Sequence, residues 1–237
     1  MAATVTPDRG DDAITFCAGE AGYGSGVRWA SRWLDPWLYR RPFRGRSARR
    51  YMRLERPGFG DLDQRLCAAW RDDLAGARTV LDVGAGPGTV ARALRAAFPA
   101  ATVVEIEPSP DFPGDRDRVR AEAEALPLRT GSVDAVVSVS AIRHVADRAR
   151  ALAEMRRVVR PNGVALIVEL DPDADAGRVR AHARAVRSRW LGAAFGPLVV
   201  ATAPTAAAIG DAARAAGWAD VRKSDDAIQP VYLLRLS

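Results

Sequence analysis

Val80-Leu81-Asp82-Val83-Gly84-Ala85-Gly86-Pro87-Gly88-Thr89-Val90-Ala91 is an apolar run that breaks into glycines and resumes as a helical pattern. It reads as a strand closed by an acidic residue, a glycine-rich turn and the opening of a helix. Glycines at 84, 86 and 88 permit positive φ and let a ligand approach the backbone closely. An ordinary tight turn between strand and helix is the plainer reading of such a loop. The dinucleotide fingerprint G-x-G-x-x-G needs its third glycine at 89, where this chain has Thr89.

Working outward, Thr102-Val103-Val104-Glu105-Ile106-Glu107 forms a second short strand ending in a carboxylate, followed by Pro108-Ser109-Pro110. Glu107 lies 23 residues after Gly84, close to the roughly 20-residue spacing at which an acid meets ribose hydroxyls. A carboxylate suits that task because it accepts hydrogen bonds from two vicinal hydroxyls at once. Glu105 is the rival on the same strand face. The third element is Glu122-Ala123-Glu124-Ala125-Leu126-Pro127-Leu128, followed by Gly131-Ser132-Val133-Asp134-Ala135-Val136-Val137-Ser138-Val139.

Together these segments resemble the Rossmann-like, S-adenosylmethionine-dependent methyltransferases, whose first motif is D-x-G-x-G-x-G and whose third is an acidic-Ala-Glu-x-Leu-Pro segment. The resemblance implies an α/β, doubly wound, mostly parallel seven-stranded sheet with an antiparallel C-terminal strand. It implies S-adenosylmethionine as cofactor, held by Asp82, Gly84, Ala85, Gly86, Gly88, Glu107, Pro108, Glu122, Ala123 and Ser138. Glu122, where the family more often has Asp, would accept the adenine amino hydrogens. The Ala123 amide would meet a ring nitrogen, and Leu126 and Leu128 are candidates for the adenine wall. Specific motifs span about residues 78–172; beyond them only the layout agrees.

The remaining pattern is consistent with that fold. Asp147 to Arg160 carries Leu152, Met155, Val158 and Val159 at helical spacing, with Asp147 suited to cap it and Pro161-Asn162-Gly163 to stop it. Val164 to Leu170 is a nearly continuous apolar run, as in strands buried on both faces. Pro204 to Gly217 is an alanine-rich helix, and Val221–Ser224 with Val231–Leu236 form a terminal antiparallel pair. Three prolines between 108 and 113 predict that the crossover after Glu107 is clipped to a turn or loop.

Composition sets the limits. A chain of 237 residues with 48% hydrophobic residues suits one domain with a full core plus an accessory segment. No apolar stretch approaches the roughly 20 residues needed to cross a bilayer, and no signal peptide opens the chain. Cys17 and Cys67 show neither metal-ligand spacing nor a disulfide framework, so no metal is expected and the cytoplasm is the default location. We divide the chain into a tail at 1–12, a helical cap or lid arm at 13–77, and a methyltransferase domain at 78–237 with an acceptor-pocket insert at about 173–203.

Charge is concentrated in the arm. Between Arg28 and Arg56 stand ten arginines against Asp35 and Glu55, an excess of +8 in a chain of net +6, which leaves −2 elsewhere. Trp29, Trp33, Trp37, Tyr39, Phe43 and Tyr51 are interleaved with them. Three readings stand: a helical cap with solvated arginines, a lid whose arginines hold an anionic or polyhydroxylated substrate, or a docking surface for anionic membrane or nucleic acid.

For chemistry, methyl transfer needs positioning and, where the nucleophile bears a proton, a base. His144, in Ser138-Val139-Ser140-Ala141-Ile142-Arg143-His144-Val145, is the candidate base, or else a structural residue orienting its loop. The segment resembles the family's Leu-His-His-Val, with Arg143 in place of the first His. Arg143, Tyr51, Arg53 and Trp190 are candidate acceptor contacts, Arg143 alternatively a surface charge. Trp190, Leu191 and Phe195 would line the acceptor pocket, and His182 would face solvent on a polar helix. The expected reaction is methylation of a small-molecule hydroxyl, with ring carbon or nitrogen as further acceptors. RNA methylation, or an inactive cofactor-binding subunit, are the alternatives.

Overall fold

The computed structural model describes residues 43, 45–53, 59–114, 117–186 and 195–237. The predicted tail, the tryptophans at 29, 33 and 37, Tyr39, Trp190 and Leu191 lie outside the described residues.

Helix α1 (Arg46–Arg53) comes first, then α2 (Leu62–Ala69) and the single turn α3 (Arg71–Leu74). Strand β1 (Thr79–Val83) leads through the glycine loop into α4 (Thr89–Ala97), β2 (Thr102–Ile106) and the two-residue β3 (Arg118–Val119). Then follow β4 (Val133–Val139), a 3-10 turn (Ile142–His144), α5 (Arg148–Val158) and β5 (Val159–Leu170). The C-terminal part contributes α6 (Ala176–Ala185), a π-helical turn (Phe195–Val200), α7 (Ala206–Ala215), β6 (Val221–Asp225) and β7 (Val231–Leu236).

The seven strands pair in the order β3-β2-β1-β4-β5-β7-β6, and only β7 runs antiparallel to its neighbours. All seven residues of β4 are buried, as a strand covered on both faces demands. On one face Val80, Val103, Val137, Leu166 and Val168 pack with Leu62, Leu66, Trp70 and Leu74 of α2 and α3 and with Leu94 of α4. On the other, Leu81, Val136, Ile167, Tyr232 and Leu234 meet Leu152 and Met155 of α5 and Ile209 and Ala213 of α7. Each large apolar side chain buried in this way contributes roughly 1.5–3 kcal/mol. Among the described residues of the arm expected at 13–77, the helices at 62–74 pack against the sheet, and Phe43, ahead of α1, and Tyr51 on it stand at the cleft.

The crossover after Glu107 carries no helix among its described residues, as its prolines predict. Phe43 and Tyr51 cover it instead, their rings 5.9 and 6.3 Å from that of Phe112. Gly45 N donates to Asp111 Oδ2 (2.7 Å), and Ser109 Oγ donates to the Phe43 carbonyl.

Two boundaries differ from the sequence reading. Asp147 caps α5 through Arg150 N (3.0 Å), but the helix ends at Val158 and Pro161-Asn162-Gly163 lies inside β5. Val159 is already paired with Val133, and the register shifts before Ala135 pairs with Val164, so Arg160 and these three residues make an irregular bulge opposite Asp134. His182, expected in solvent, is buried: its ring lies 4.7 Å from Phe59 and its Nδ1 bonds Gln229 Oε1. The hydrophobic side of α6 turns inward there, and His182 occupies it.

Burial pushes the His182 imidazole below the usual histidine range, against the opposing pull of its bond to Gln229. The unfolded chain therefore takes up the proton more readily, so stability rises with pH across the window between the two values. Thermal unfolding should show the wild-type melting temperature falling as pH drops from about 7 to 5, through the usual histidine range. His182→Gln, which preserves a hydrogen bond to Gln229, should show a smaller fall.

Candidate active site

Each glycine of the loop after β1 has positive φ: +78° at Gly84, +51° at Gly86 and +75° at Gly88. Gly84 cannot be replaced without movement, because a Cβ there would lie 2.4 Å from that of Ala141. Gly86 differs, since its Cβ would meet nothing nearer than the Gly84 carbonyl at 4.0 Å. Its Cα therefore borders open space. Gly84 N and Ala85 N donate to the Ile106 carbonyl (2.8 and 3.0 Å), which hangs the loop on the carboxyl end of β2.

That space is a cleft of about 630 Å³ along the carboxyl edges of β1, β2 and β4, within the usual range for small-molecule sites. Asp82, Gly84, Ala85, Gly86, Glu107, Pro108, Glu122, Ala123, Ser138 and His144 all line it. Gly88 does not; it turns toward Glu105 and Arg118 behind the loop.

Glu107 is buried, with Oε2 accepting from Gly86 N and Oε1 from Ser109 N, both at 2.8 Å. Each oxygen keeps a second lone pair for a ligand hydroxyl. Burial pushes its carboxyl above the ordinary range; the Ser109 and Gly86 amides and the charges of Arg118 and Arg120 pull it only part of the way back. Its rival Glu105 is committed elsewhere, paired with Arg118 and with Arg95 Nη1 at 2.8 Å. Burial alone would raise Glu105, but hydrogen bonds and charge from Arg118 and Arg95 hold it below the usual carboxylate range.

The segment at 122–128 divides between cleft and core. Ala121 to Ala125 line the cleft, whereas Leu126 and Leu128 pack toward Leu152 and Met155 of α5. The two leucines, expected in the adenine wall, therefore do not line the cleft. Arg157 fixes the segment by donating to the Leu126 and Leu128 carbonyls (3.0 and 2.8 Å). Glu124, which the sequence reading left without a role, accepts from Ala146 N (2.9 Å) and Asp147 N (3.1 Å). It joins the segment to the loop that carries His144. Ser138 lines the cleft, but its hydroxyl donates to the Val83 carbonyl (3.0 Å) and joins the ends of β1 and β4.

His144 ends the 3-10 turn after β4, with its amide on the Ala141 carbonyl (2.9 Å) and its ring edge-on to Phe43 at 4.8 Å. Phe43, Tyr51 and Phe112 complete the cleft wall around it. Phe43 and Phe112 were not singled out as site residues; both lie where the clipped crossover leaves the wall to be filled. Arg143 does not open onto the cleft. It is buried against Glu169 (Nη1 to Oε1, 3.7 Å) and donates to the Val199 carbonyl, which corrects its reading as an acceptor anchor or surface charge. Arg53 belongs to α1, and Trp190 lies outside the described residues. Among the described residues of the 173–203 insert, none lines the cleft.

Comparison with known proteins agrees with this geometry. The family model described as a methyltransferase domain matches residues 81–167. A ubiquinone/menaquinone biosynthesis C-methyltransferase of Syntrophotalea carbinolica is 35% identical over 165 residues, 63% of this chain and 70% of that protein. An uncharacterized methyltransferase of a Mycobacterium species is 40% identical over 97 residues, 39% of this chain and 38% of that one. In fold, a Thermotoga maritima S-adenosylmethionine-dependent methyltransferase matches with a TM-score of 0.53 at 18% identity, over 87% of this chain and 98% of its own. One from Mesorhizobium loti matches with a TM-score of 0.53 at 17% identity, over 76% and 99%. The chain belongs to the S-adenosylmethionine-dependent methyltransferases, with their Rossmann-like fold.

The cleft fits that cofactor. Gly86 leaves its Cβ direction open, and Glu107 has acceptor capacity for ribose hydroxyls. A hydroxyl donating to Glu107 favours its ionised form, so affinity should fall as pH drops through its raised titration. Calorimetry with S-adenosylhomocysteine should show that acid limb in the wild type and its absence in Glu107→Gln, which should also weaken binding by about 1–3 kcal/mol at neutral pH. Gly86→Val, which places a branched side chain at positive φ and into the cleft, should abolish binding.

Proposed function

We propose that this enzyme methylates a small-molecule acceptor at a hydroxyl, with His144 as the base. The observation that carries the reading is the place of His144: it shares one cleft with the glycine loop and Glu107, on the turn that follows β4. S-adenosylmethionine supplies an activated methyl group on a positively charged sulfur. Gly84 to Gly86, Glu107, Glu122 and the Ala123 amide would hold it, and the chain's remaining tasks are orientation and proton removal. A neutral imidazole takes a hydroxyl proton near neutral pH. Phe43, Tyr51 and Phe112 close the wall beside His144, where they exclude water and present flat apolar surface to a ring-bearing acceptor.

A second reading rests on the Syntrophotalea relative, whose name gives C-methylation in quinone biosynthesis. A ring carbon of a hydroquinone-like acceptor becomes nucleophilic when a ring hydroxyl loses its proton, so the same base serves. The arm's arginines remain a proposed contact for an anionic acceptor or surface.

His144→Ala should lower turnover by about 10²–10⁴-fold with cofactor affinity preserved. The wild-type rate should fall toward acid, as a base that must be deprotonated requires, and the variant should lose that limb. Supplying cell extract with methyl-labelled cofactor and resolving small molecules, RNA and protein tests the acceptor class. Label in a small molecule is expected, and NMR of the product then separates an oxygen-bound from a carbon-bound methyl. Label in RNA alone would overturn the proposal.

A further inference from the structure

Arg118 stands behind the cofactor loop, outside the cleft, and makes contacts that no motif accounts for. Its Nη1 donates to the Gly86 carbonyl (2.8 Å), while Nε donates to Glu105 Oε2 (2.8 Å) and Nη2 pairs with the same carboxylate. Its side chain is only 4% exposed. Arg95 Nη1 holds the other oxygen of Glu105 (2.8 Å), and Arg95 Nη2 is fixed on the Val103 carbonyl (2.9 Å). The guanidinium fork is thus set by a buried carboxylate that is itself anchored to β2 and α4.

The slot is shaped for this side chain by two glycines. A Cβ on Gly114 would fall 2.2 Å from Arg118 Cδ and 2.8 Å from its Cβ, and one on Gly88 would fall 3.2 Å from Nη2. Contacts under 3.0 Å to the stem of a side chain, rather than to its mobile end, force displacement. Gly86 is therefore gripped from both ends: its N–H by Glu107 in front and its carbonyl by Arg118 behind.

We propose that Arg118, locked by Glu105 and admitted by Gly114, is a positioning residue that fixes the Gly86 peptide and keeps Glu107 ready to accept the cofactor's hydroxyls. The proposal deepens the reading of the cleft as the cofactor site and rests on it. Charge supports the geometry. Arg118 and Arg120, adjoining on and after β3, are the cations that favour ionised Glu107; Asp82, Glu122, Glu124 and His144 share its cleft, and Glu105 is screened by its own arginine pairs. Removing Arg118 should thus loosen the loop and raise the pH at which Glu107 ionises.

The test uses the full chain. S-adenosylhomocysteine affinity is measured by calorimetry from acidic to mildly alkaline pH. The Glu107 carboxyl is followed by NMR in ligand-free protein, and thermal unfolding is recorded for each variant. Arg118→Met should weaken affinity about tenfold or more at neutral pH, as expected for losing a charge-assisted hydrogen bond. It should also move both the acid limb of binding and the Glu107 midpoint to higher pH. Arg118→Met with Glu105→Gln removes both charges of the pair and should weaken affinity likewise, with a smaller rise of the Glu107 midpoint because a carboxylate is lost together with the guanidinium. Gly114→Ala keeps every charge, displaces Arg118 and should weaken affinity likewise. A lower melting temperature with affinity and Glu107 midpoint unchanged in these variants would overturn the inference and leave Arg118 structural. Wild-type protein that binds no adenosyl ligand would sink the cofactor reading instead, and the ligand-free Glu107 midpoint would then decide the Arg118 inference.

Discussion

The Ile106 carbonyl, accepting from both Gly84 N and Ala85 N, is the contact on which the site depends. It ties the end of β1 to the end of β2 at the point where the chain must reverse from strand to helix. The reversal needs three residues at positive φ, and Gly84 has Ala141 pressed against its missing side chain. That contact sets the start of the segment after β4 against the loop after β1. The same stretch leads into His144, so cofactor loop and candidate base are registered by one steric fit. A substitution at Gly84 would therefore disturb both.

The clipped crossover after β2 changes how the cleft is walled. A helix there would cover the ribose side from within the sheet's own layer. Prolines prevent it, and the gap is filled by residues more than sixty positions earlier, Phe43 and Tyr51 against Phe112. Because Phe43 also meets His144 edge-on, one side chain of the arm touches both the crossover after β2 and the turn after β4. Among the described residues, the bonds of Gly45 N to Asp111 and of Ser109 Oγ to the Phe43 carbonyl accompany these ring contacts.

The sheet and the glycine loop were legible because their signals are local: apolar runs, glycines with required φ, and a carboxylate at a set distance. Glu107 could be preferred over Glu105 from sequence, but why it wins is visible only in space, where arginines from α4 and β3 occupy Glu105. Arg143 and His182 were misjudged for a shared reason. Arg143 was read from its place on the turn after β4 and His182 from the polarity of its helix, and neither signal shows the partners far along the chain that bury them, Glu169 and Val199 for one, Phe59 and Gln229 for the other. Leu126 and Leu128 were misplaced because a loop has no periodicity to say which side faces the core. The bulge at Pro161-Asn162-Gly163 reads as a helix stop in sequence, and only the pairing of Val159 with Val133 shows that the strand has already begun.

Glu105 and Glu107 sit two residues apart, and their surroundings push them in opposite directions. Glu105 is neutralised by guanidinium groups on both oxygens and serves as a fixed support. Glu107 has backbone amides in place of a paired cation, so its charge is held by dipoles and its remaining lone pairs stay directed at the cleft. A direct ion pair at Glu107 would have lowered its titration further, but it would have filled the acceptor positions that a ligand needs. Placing the cation one layer back, on Glu105 and on the Gly86 carbonyl, supplies favourable charge without occupying the site. The burial that makes Glu107 costly to ionise also strengthens each hydrogen bond it accepts, so the Gly86 and Ser109 amides hold the carboxylate firmly in its place at the cleft.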